Sequence, residues 1–303
     1  MKMEQPRVAI IIATYVQEEL LKKCLKSLKT KTDYKNYRVY LIDDSGKNKF
    51  GKEIKKSFKE INLIINKENK GFAKSNNLGI KKALKEYNPN YFLLLNDDTM
   101  IIDKNWLKKI ISEGEKNKKA GILGCKIIYP DNSLQWVAKN NKICSFDKPG
   151  YQSSSKEFSK IQKVGDIMGV CFLIKREVIN KIGFLDEGFS PFYGEETDFC
   201  YRASKKGFDL IYVGNTELVH HGKASTTKLE EDYVWYVKKK NGVRIEWLNY
   251  NFANILKYTF LHFASLFKRS RLSFIKKLNL LIKAYKENIN NLKEIKVKRK
   301  ERK

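Results

Sequence analysis

Short runs of β-branched and aliphatic residues alternate with longer runs of helical spacing through the first third of the chain. Val8–Thr14 (VAIIIAT), residues 38–42, residues 61–65 and Tyr91–Leu95 (YFLLL) predict strands. Between them, residues 20–28, 52–58 and 72–87 repeat apolar positions every three or four residues and predict helices. In the third of these, Phe72, Leu78 or Gly79, and Ala83 or Leu84 are spaced to face a sheet. The alternation predicts an α/β chain on a mostly parallel sheet with helices on both faces. Ligands of such sheets bind outside the carboxyl ends of the strands, so chemistry is sought in the residues that follow each strand.

The middle of the chain is less regular. Residues 120–129 predict a strand, 134–137 a hairpin arm and 150–159 (GYQSSSKEFS) a polar loop. Residues 169–174 (GVCFLI) make a small-residue entry into an apolar strand. Arg176–Ile182 predicts a helix stopped by Gly183, and 196–206 a helix stopped by Gly207. Residues 208–213 predict a last strand leading to His220 and His221. There is no internal repeat and no Walker or GxGxxG loop, so nothing supports an ATPase or a dinucleotide enzyme.

Further on, residues 247–267 (WLNYNFANILKYTFLHFASLF) are as long as a membrane span, but Asn249, Asn251, Asn254, Lys257 and His262 interrupt them and exclude a transmembrane helix. Leu248, Phe252, Ile255, Leu256, Phe260, Phe263 and Phe267 fall on one helical face. Such a face suits either packing on the rest of the protein or a membrane surface.

Composition narrows the class. A chain of 303 residues that is 42% hydrophobic can bury a core without disulfide or metal staples, and wholesale disorder is excluded. The five Cys (24, 125, 144, 171 and 200) form no CxxC pair, and an odd number cannot all pair within one chain, which argues for a reducing compartment and against a zinc ribbon. The N-terminal MKMEQPR leads straight into an apolar run too short for a signal segment, so a cytoplasmic location is expected.

The net charge of +27 is uneven: residues 268–303 hold 14 Lys/Arg against 3 Asp/Glu. A basic surplus attracts any polyanion without choosing among them. Following an aromatic amphipathic segment, it favours the anionic cytoplasmic face of a membrane. A basic nucleic-acid-binding protein is an alternative reading of the charge, but no RNP-like strand, zinc pattern or recognition helix accompanies it, and no specific nucleic acid is expected.

Three predicted strands end in polar groups: Thr14-Tyr15, Asp43-Asp44-Ser45 and Asn96-Asp97-Asp98-Thr99. Carboxylates gathered at one sheet edge repel one another unless a cation or a hydrogen-bonding ligand sits among them. One Asp pair after a strand is often only a turn or a helix cap; two in one βαβ series point to a ligand site. A sugar-phosphate nucleotidyltransferase would pair such acids with a Gly-rich loop after the first strand, and ATYVQEE contains none.

The stretches VAIIIATYVQEELLKKCLKSL, LIDDSGKN, NKENKGFAKSNNLGI, YFLLLNDDTMI, GVCFLIKREVINKIGFLDEGF, GEETDFCYRASKKGFDLIYV and LVHHGKAS follow one another across residues 8–225. As an ordered set they resemble family 2 glycosyltransferases of the GT-A fold, in the branch of rhamnosyl, galactofuranosyl and related cell-surface sugar transferases. The resemblance implies a Rossmann-like nucleotide-binding sheet in a catalytic domain of residues 1–228, with a nucleotide-sugar half (1–100) and an acceptor half (101–228). Residues 229–303 would form a helical, basic C-terminal region. The implied reaction is an inverting transfer from a UDP- or dTDP-linked sugar to a hydroxyl of a glycan or lipid-linked glycan, with Mg²⁺ or Mn²⁺.

Matching by position, the resemblance assigns Thr14, Tyr15, Asp43, Asp44, Lys74, Asn96 and Asp97 to the donor. Tyr15 and Asp44 fall at the base, where a carboxylate can accept the N3 hydrogen of uracil or thymine, and Lys74 at the base or diphosphate. Asn96-Asp97-Asp98 occupies the DxD position, with Asp98 as the cation-holding aspartate and Asn96 in place of the first carboxylate. Glu195-Glu196-Thr197-Asp198 matches the family's ED-x-D stretch. That makes Glu196 the catalytic base, Glu195 its rival by one residue, and Asp198 an acceptor contact or a support for the helix. His220 is implied as a metal ligand or diphosphate contact, with His221 second, since neighbours on a strand face opposite ways. Ser225 in GKAS would touch phosphate. The Cys residues receive no role.

Overall fold

The computed structural model describes residues 5–146, 149–151, 157–222 and 229–302, with backbone alone at 48 and 49. In chain order the elements are β1 (Val8–Thr14), α1 (Glu18–Thr30), β2 (Tyr37–Asp43), α2 (Asn48–Ser57), β3 (Asn62–Ile65), α3 (Phe72–Glu86), β4 (Tyr91–Leu95), β5 (Thr99–Ile101) and α4 (Trp106–Lys116). Then come β6 (Ala120–Ile128), β7 (Leu134–Lys139), β8 (Lys142–Ser145), β9 (Ile161–Val164), β10 (Cys171–Lys175), α5 (Arg176–Ile182), α6 (Glu195–Lys205) and β11 (Asp209–His220). Four C-terminal helices follow: α7 (Glu231–Asn249), α8 (Phe252–Ala264), α9 (Phe274–Asn290) and α10 (Leu292–Glu301).

One sheet in the order β3-β2-β1-β4-β10-β6-β11-β5 runs through residues 8–220. The first four strands are parallel, as the alternation predicts. Strand β10 then enters antiparallel to β4 and β6, which brings its first residues beside the carboxyl end of β4. The aliphatic run of β1 is buried on both faces because helices cover each side, the condition under which a strand reads as continuous rather than alternating apolar residues. On α3 it is Gly79 and Ala83 that meet the sheet, and a Cβ at Gly79 would lie 2.6 Å from Ile11 Cγ2 and 2.8 Å from Ile42 Cδ1.

The sequence pattern misplaces two features. The last strand does not stop at residue 213 but runs to His220, because a register shift between Val213 and Glu217 lets it resume beside β6. The polar Gly214-Asn215-Thr216 reads as a strand end, whereas it forms a bulge. Residues 247–267 are two helices: α7 ends at Asn249, and the Asn251 side chain accepts the Asn254 N–H to start α8. Leu248 therefore belongs to α7, buried with Phe189 and Ile295, and not to the face of α8. Among the described residues no helix is long and apolar enough to cross a membrane.

The C-terminal helices are seated on the rest of the fold by buried charge. Arg244 on α7 reaches Asp186 at 3.0 Å and Glu294 at 2.7 Å, while Lys298 and Arg302 reach the same Asp186 at 2.5 and 2.7 Å. Burial by itself would raise the Asp186 carboxyl, but Arg244 and Lys298 outweigh it and hold the pKa at about 2. Part of the basic tail thus turns inward.

Gly79→Ala tests the contact of α3 with the sheet. Overpacking costs roughly 1–3 kcal/mol, against about 1 kcal/mol gained from helix propensity. A lower Tm is expected in a thermal melt; a raised one would mean the helix can lift from the sheet without loss.

Candidate active site at the carboxyl edge of the sheet

The ends of β1 and β4 are joined by hydrogen bonds. The Thr14 hydroxyl donates to Asp97 Oδ2 at 2.6 Å, and the Tyr15 backbone N–H also donates to that carboxylate. Burial, followed by the charge of Asp98, pushes Asp97 up to about 7. The Thr14 hydroxyl hydrogen is thereby committed to Asp97. Asp98 points the other way, 3.0 Å from His220 Nε2. Burial opposes its ionisation, but the His220 ring and a backbone N–H keep its carboxyl below the usual range. The β5–β11 ladder, in which His220 pairs with Thr99, sets this contact, and the His221 N–H donates to the Asp98 carbonyl at 3.1 Å.

His220 is oriented from behind. Its Nδ1 lies 2.6 Å from Oε1 of Gln135, a buried residue of β7. With the amide assigned this way the oxygen can only accept, so Nδ1 carries a hydrogen and Nε2 is the nitrogen turned toward the carboxylate. That arrangement is repulsive unless a proton or a cation lies between. The 3.0 Å separation also equals the edge of an octahedron of ligands at about 2.1 Å. Asp98 and His220 therefore fit a divalent cation. Among the described residues no group of three or more His, Cys, Asp or Glu gathers to hold one, so a cation between these two would take its other ligands from outside such a cluster. A bound cation would supply charge neutralisation for a departing diphosphate. Asn96 sits with its amide 3.3 Å from the same Nε2, while the His221 Nε2 is buried with no hydrogen-bond partner among the described residues.

Along β2 the two aspartates separate. Asp44 accepts from Asn66 Nδ2 at 2.7 Å and from the Lys70 and Gly71 N–H groups at 2.9 Å each. A carboxylate has about four acceptor positions, which leaves one for a base N–H. Asp43 is fully buried, its oxygens taken by the N–H groups of Ser45 and Gly51. It shapes the turn into α2 from within the core. Tyr15 and Lys74 are exposed at this edge. Ser225 lies outside the described residues.

Glu196 reaches the edge through α6. An ideal Cβ at Gly169 would lie 1.8 Å from Glu196 Oε1, so only glycine leaves room for the carboxylate there. The next residue, Val170, accepts the Asn96 N–H at 3.2 Å, which puts Glu196 against the chain that borders the Asn96-Asp97-Asp98 stretch. Burial, then the charge of Asp166, pushes Glu196 up to about 7. Glu195 is more deeply buried, with Oε2 unpartnered, and burial and the Glu196 charge raise it well above the usual range. Asp198 is not available to an acceptor: its carboxylate is buried and held by Arg202 at 2.9 Å, Asn249 at 2.7 Å and Arg302. Of its two implied roles the structure leaves support for the helix.

The loop ahead of Glu195 is fixed by residues that the sequence pattern does not single out. Asn241 Nδ2 donates to the carbonyls of Phe189, Phe192 and Tyr193 at 2.7–2.9 Å, and Lys240 to that of Ser190 at 2.6 Å. In KKKNGVR these look like a solvated charge run. The Pro191 carbonyl accepts the Phe72 N–H at 3.0 Å, tying the same loop to the start of α3.

A parallel sheet with acids at its carboxyl edge, continued by an antiparallel β10 whose entry at Gly169 packs against Glu196 of α6, has the architecture of the GT-A fold. Residues 9–183, more than half of the chain, match the family described as Glycosyl transferase family 2, and the chain belongs to that family. It is 24% identical over 236 residues to the low-salt glycan biosynthesis hexosyltransferase Agl10 of Haloferax volcanii, covering 77% of this chain and 73% of the relative. Two other curated relatives are much longer, and the chain spans 18% and 28% of their length. Two solved structures share the fold. GalNAc-T7 with UDP, GalNAc and Mn²⁺ has a TM-score of 0.62 and 15% identity, covering 92% of this chain and 55% of that one. Mannosyltransferase PcManGT of Pyrobaculum calidifontis with GDP-Man and Mn²⁺ has a TM-score of 0.59 and 14% identity, covering 95% and 76%.

Two outcomes follow from this geometry. Gln135→Leu frees the His220 ring and is expected to weaken Mn²⁺ binding about 10–100-fold, the usual effect of removing a ligand's supporting partner, whereas Asp98→Ala abolishes it. Calorimetric titration with Mn²⁺ measures both, and full affinity in Asp98→Ala would place the cation elsewhere. If Glu196 acts as the base, only its ionised form works, so kcat/KM is expected to climb about tenfold per pH unit below about 7 and level off above it. In the folded protein this acid holds its proton to higher pH than in the unfolded chain, so it costs stability as pH rises from about 4.5 to 7. Glu196→Gln is thus expected to abolish the pH step and to raise Tm at pH 8 but not at pH 4.

Proposed function

We propose that this protein transfers a sugar, with inversion, from a UDP- or dTDP-linked donor to a hydroxyl of a glycan or lipid-linked glycan, using Mg²⁺ or Mn²⁺. The observation that carries the reading is the meeting, at one sheet edge, of the Asp98–His220 pair with a carboxylate whose pKa of about 7 suits proton removal. The acceptor O–H gives its proton to Glu196 as the oxygen bonds to the anomeric carbon. The bond from that carbon to the diphosphate oxygen breaks, and its electron pair leaves with the nucleoside diphosphate. Most of the acceleration comes from holding donor and acceptor in line.

The remaining acceptor position on Asp44 favours a base with an N–H, as uracil and thymine have at N3. The glycan-biosynthesis relative and the Mn²⁺-bound fold neighbours support the donor class and the ion. We place the enzyme on the cytoplasmic face of the membrane, where a lipid-linked acceptor would be presented.

A thermal-shift panel of UDP-, dTDP- and GDP-sugars with Mn²⁺ tests the donor. A ligand at about 100 times its Kd stabilises by roughly 2.7 kcal/mol, a shift of several degrees for a domain of this kind. UDP- or dTDP-sugars are expected to raise Tm, and Glu196→Gln to keep that shift while losing turnover by about 10² or more. A shift with GDP-sugars alone would overturn the base assignment, and no shift with any of them the donor class.

A further inference from the structure

Helix α8 is turned inside out. Its inward side is polar: His262 Nε2 meets Glu246 Oε1 at 2.8 Å, and Lys239 on α7 donates to Ser265 Oγ at 2.7 Å. Its outward side is apolar, with Phe252 and Phe260 72% exposed and Leu256 and Phe263 beside them. The stripe continues through Phe267, 79% exposed, whose ring lies 5.2 Å from that of Phe274. An ordinary surface helix turns its apolar stripe to the core, and contiguous exposed patches of this kind mark an interaction surface.

Charge selects the occupant. From residue 247 to 286 the chain carries eight Lys/Arg and no Asp or Glu. Lys257, Lys268, Arg269 and Arg271 are all exposed around the apolar stripe. A second copy of the chain would bring two basic strips together, and like charges across an interface oppose it. A bilayer with anionic headgroups offers an apolar layer for the rings and negative charge for the rim. We propose that the α8 face, from Phe252 to Phe267, docks on an anionic lipid surface, with Lys268, Arg269 and Arg271 at the headgroups.

The consequence for the site comes through α7, which carries both the Glu246 and Lys239 contacts to α8 and the Lys240 and Asn241 contacts to the loop before Glu195. The docking helix and the base-bearing loop share one support. That link rests on the reading of a membrane-borne acceptor; the docking itself does not.

The test uses the full chain, because a truncation within α7 would remove the buried Arg244 and Asn241 contacts. Sedimentation is measured with vesicles of phosphatidylcholine mixed with phosphatidylglycerol and with phosphatidylcholine alone, at low and high salt. Wild type is expected to pellet with the anionic vesicles only and to be released by salt. Phe260→Ser with Phe267→Ser should weaken binding about tenfold or more, and Lys268→Glu with Arg269→Glu and Arg271→Glu about 100-fold or more, at roughly fivefold per positive charge removed. Tm and the donor-induced shift should not change in either variant, which separates this surface from the catalytic reading. Absence of pelleting, equal binding to neutral vesicles, or variants that bind like wild type would each overturn the proposal. So would a dimer in sedimentation velocity that the Phe variant dissolves without any vesicle binding.

Discussion

Everything at this site depends on how several carboxylates are kept close together out of water. Asp97, Asp98, Glu195 and Glu196 all lie at or beneath one edge of the sheet, where both burial and mutual repulsion favour the neutral acid. The fold answers each differently. Asp97 is held by the Thr14 hydroxyl and the Tyr15 N–H, and still rises to about 7. Asp98 alone faces a ring nitrogen and stays ionised. Neighbouring acids are thereby given different protonation states, which is what a site needs if one carboxylate is to hold a cation and another to take up a proton.

The same logic explains why the C-terminal helices belong to the catalytic unit. Asp186 and Asp198 are as deeply buried as the site acids, but Arg244, Arg302 and Lys298 neutralise them. Removing one member of such a network leaves a charge without its partner in low dielectric, so the helices cannot leave without destabilising the loop and α6 that carry Glu196. Asn241 adds direction by gathering three carbonyls of that loop. The inverted α8 is tolerable only because its polar side is satisfied by α7, which leaves the apolar side facing outward.

The parallel β3-β2-β1-β4 layer, α3 with its small residues against the sheet, and the helix at Arg176–Ile182 were legible in the chain because each rests on local periodicity and local stop signals. So were the acids after β2 and β4, since the carboxyl edge is where such a sheet exposes backbone to ligands. Asp43 and Asp44 show the limit: adjacent residues of the same type end in different surroundings, one closing the turn into α2 and one held by Asn66 and the N–H groups of Lys70 and Gly71. Gln135 was invisible, because a polar residue in an otherwise apolar strand carries no mark of what will stand opposite it.

By itself, then, the sequence determined the elements, their α/β order and the kinds of groups that follow each strand, since these depend on neighbours within a few residues. Only the tertiary structure decided which groups meet. The bulge in β11 carries His220 beside Asp98, the antiparallel entry of β10 places Gly169 under Glu196, and the break at Tyr250–Asn251 turns one apolar helix into a buried end and an exposed face. Each of these is a contact across tens of residues, fixed by burial and by the need to pair every charge and N–H taken out of water, and no local pattern records it.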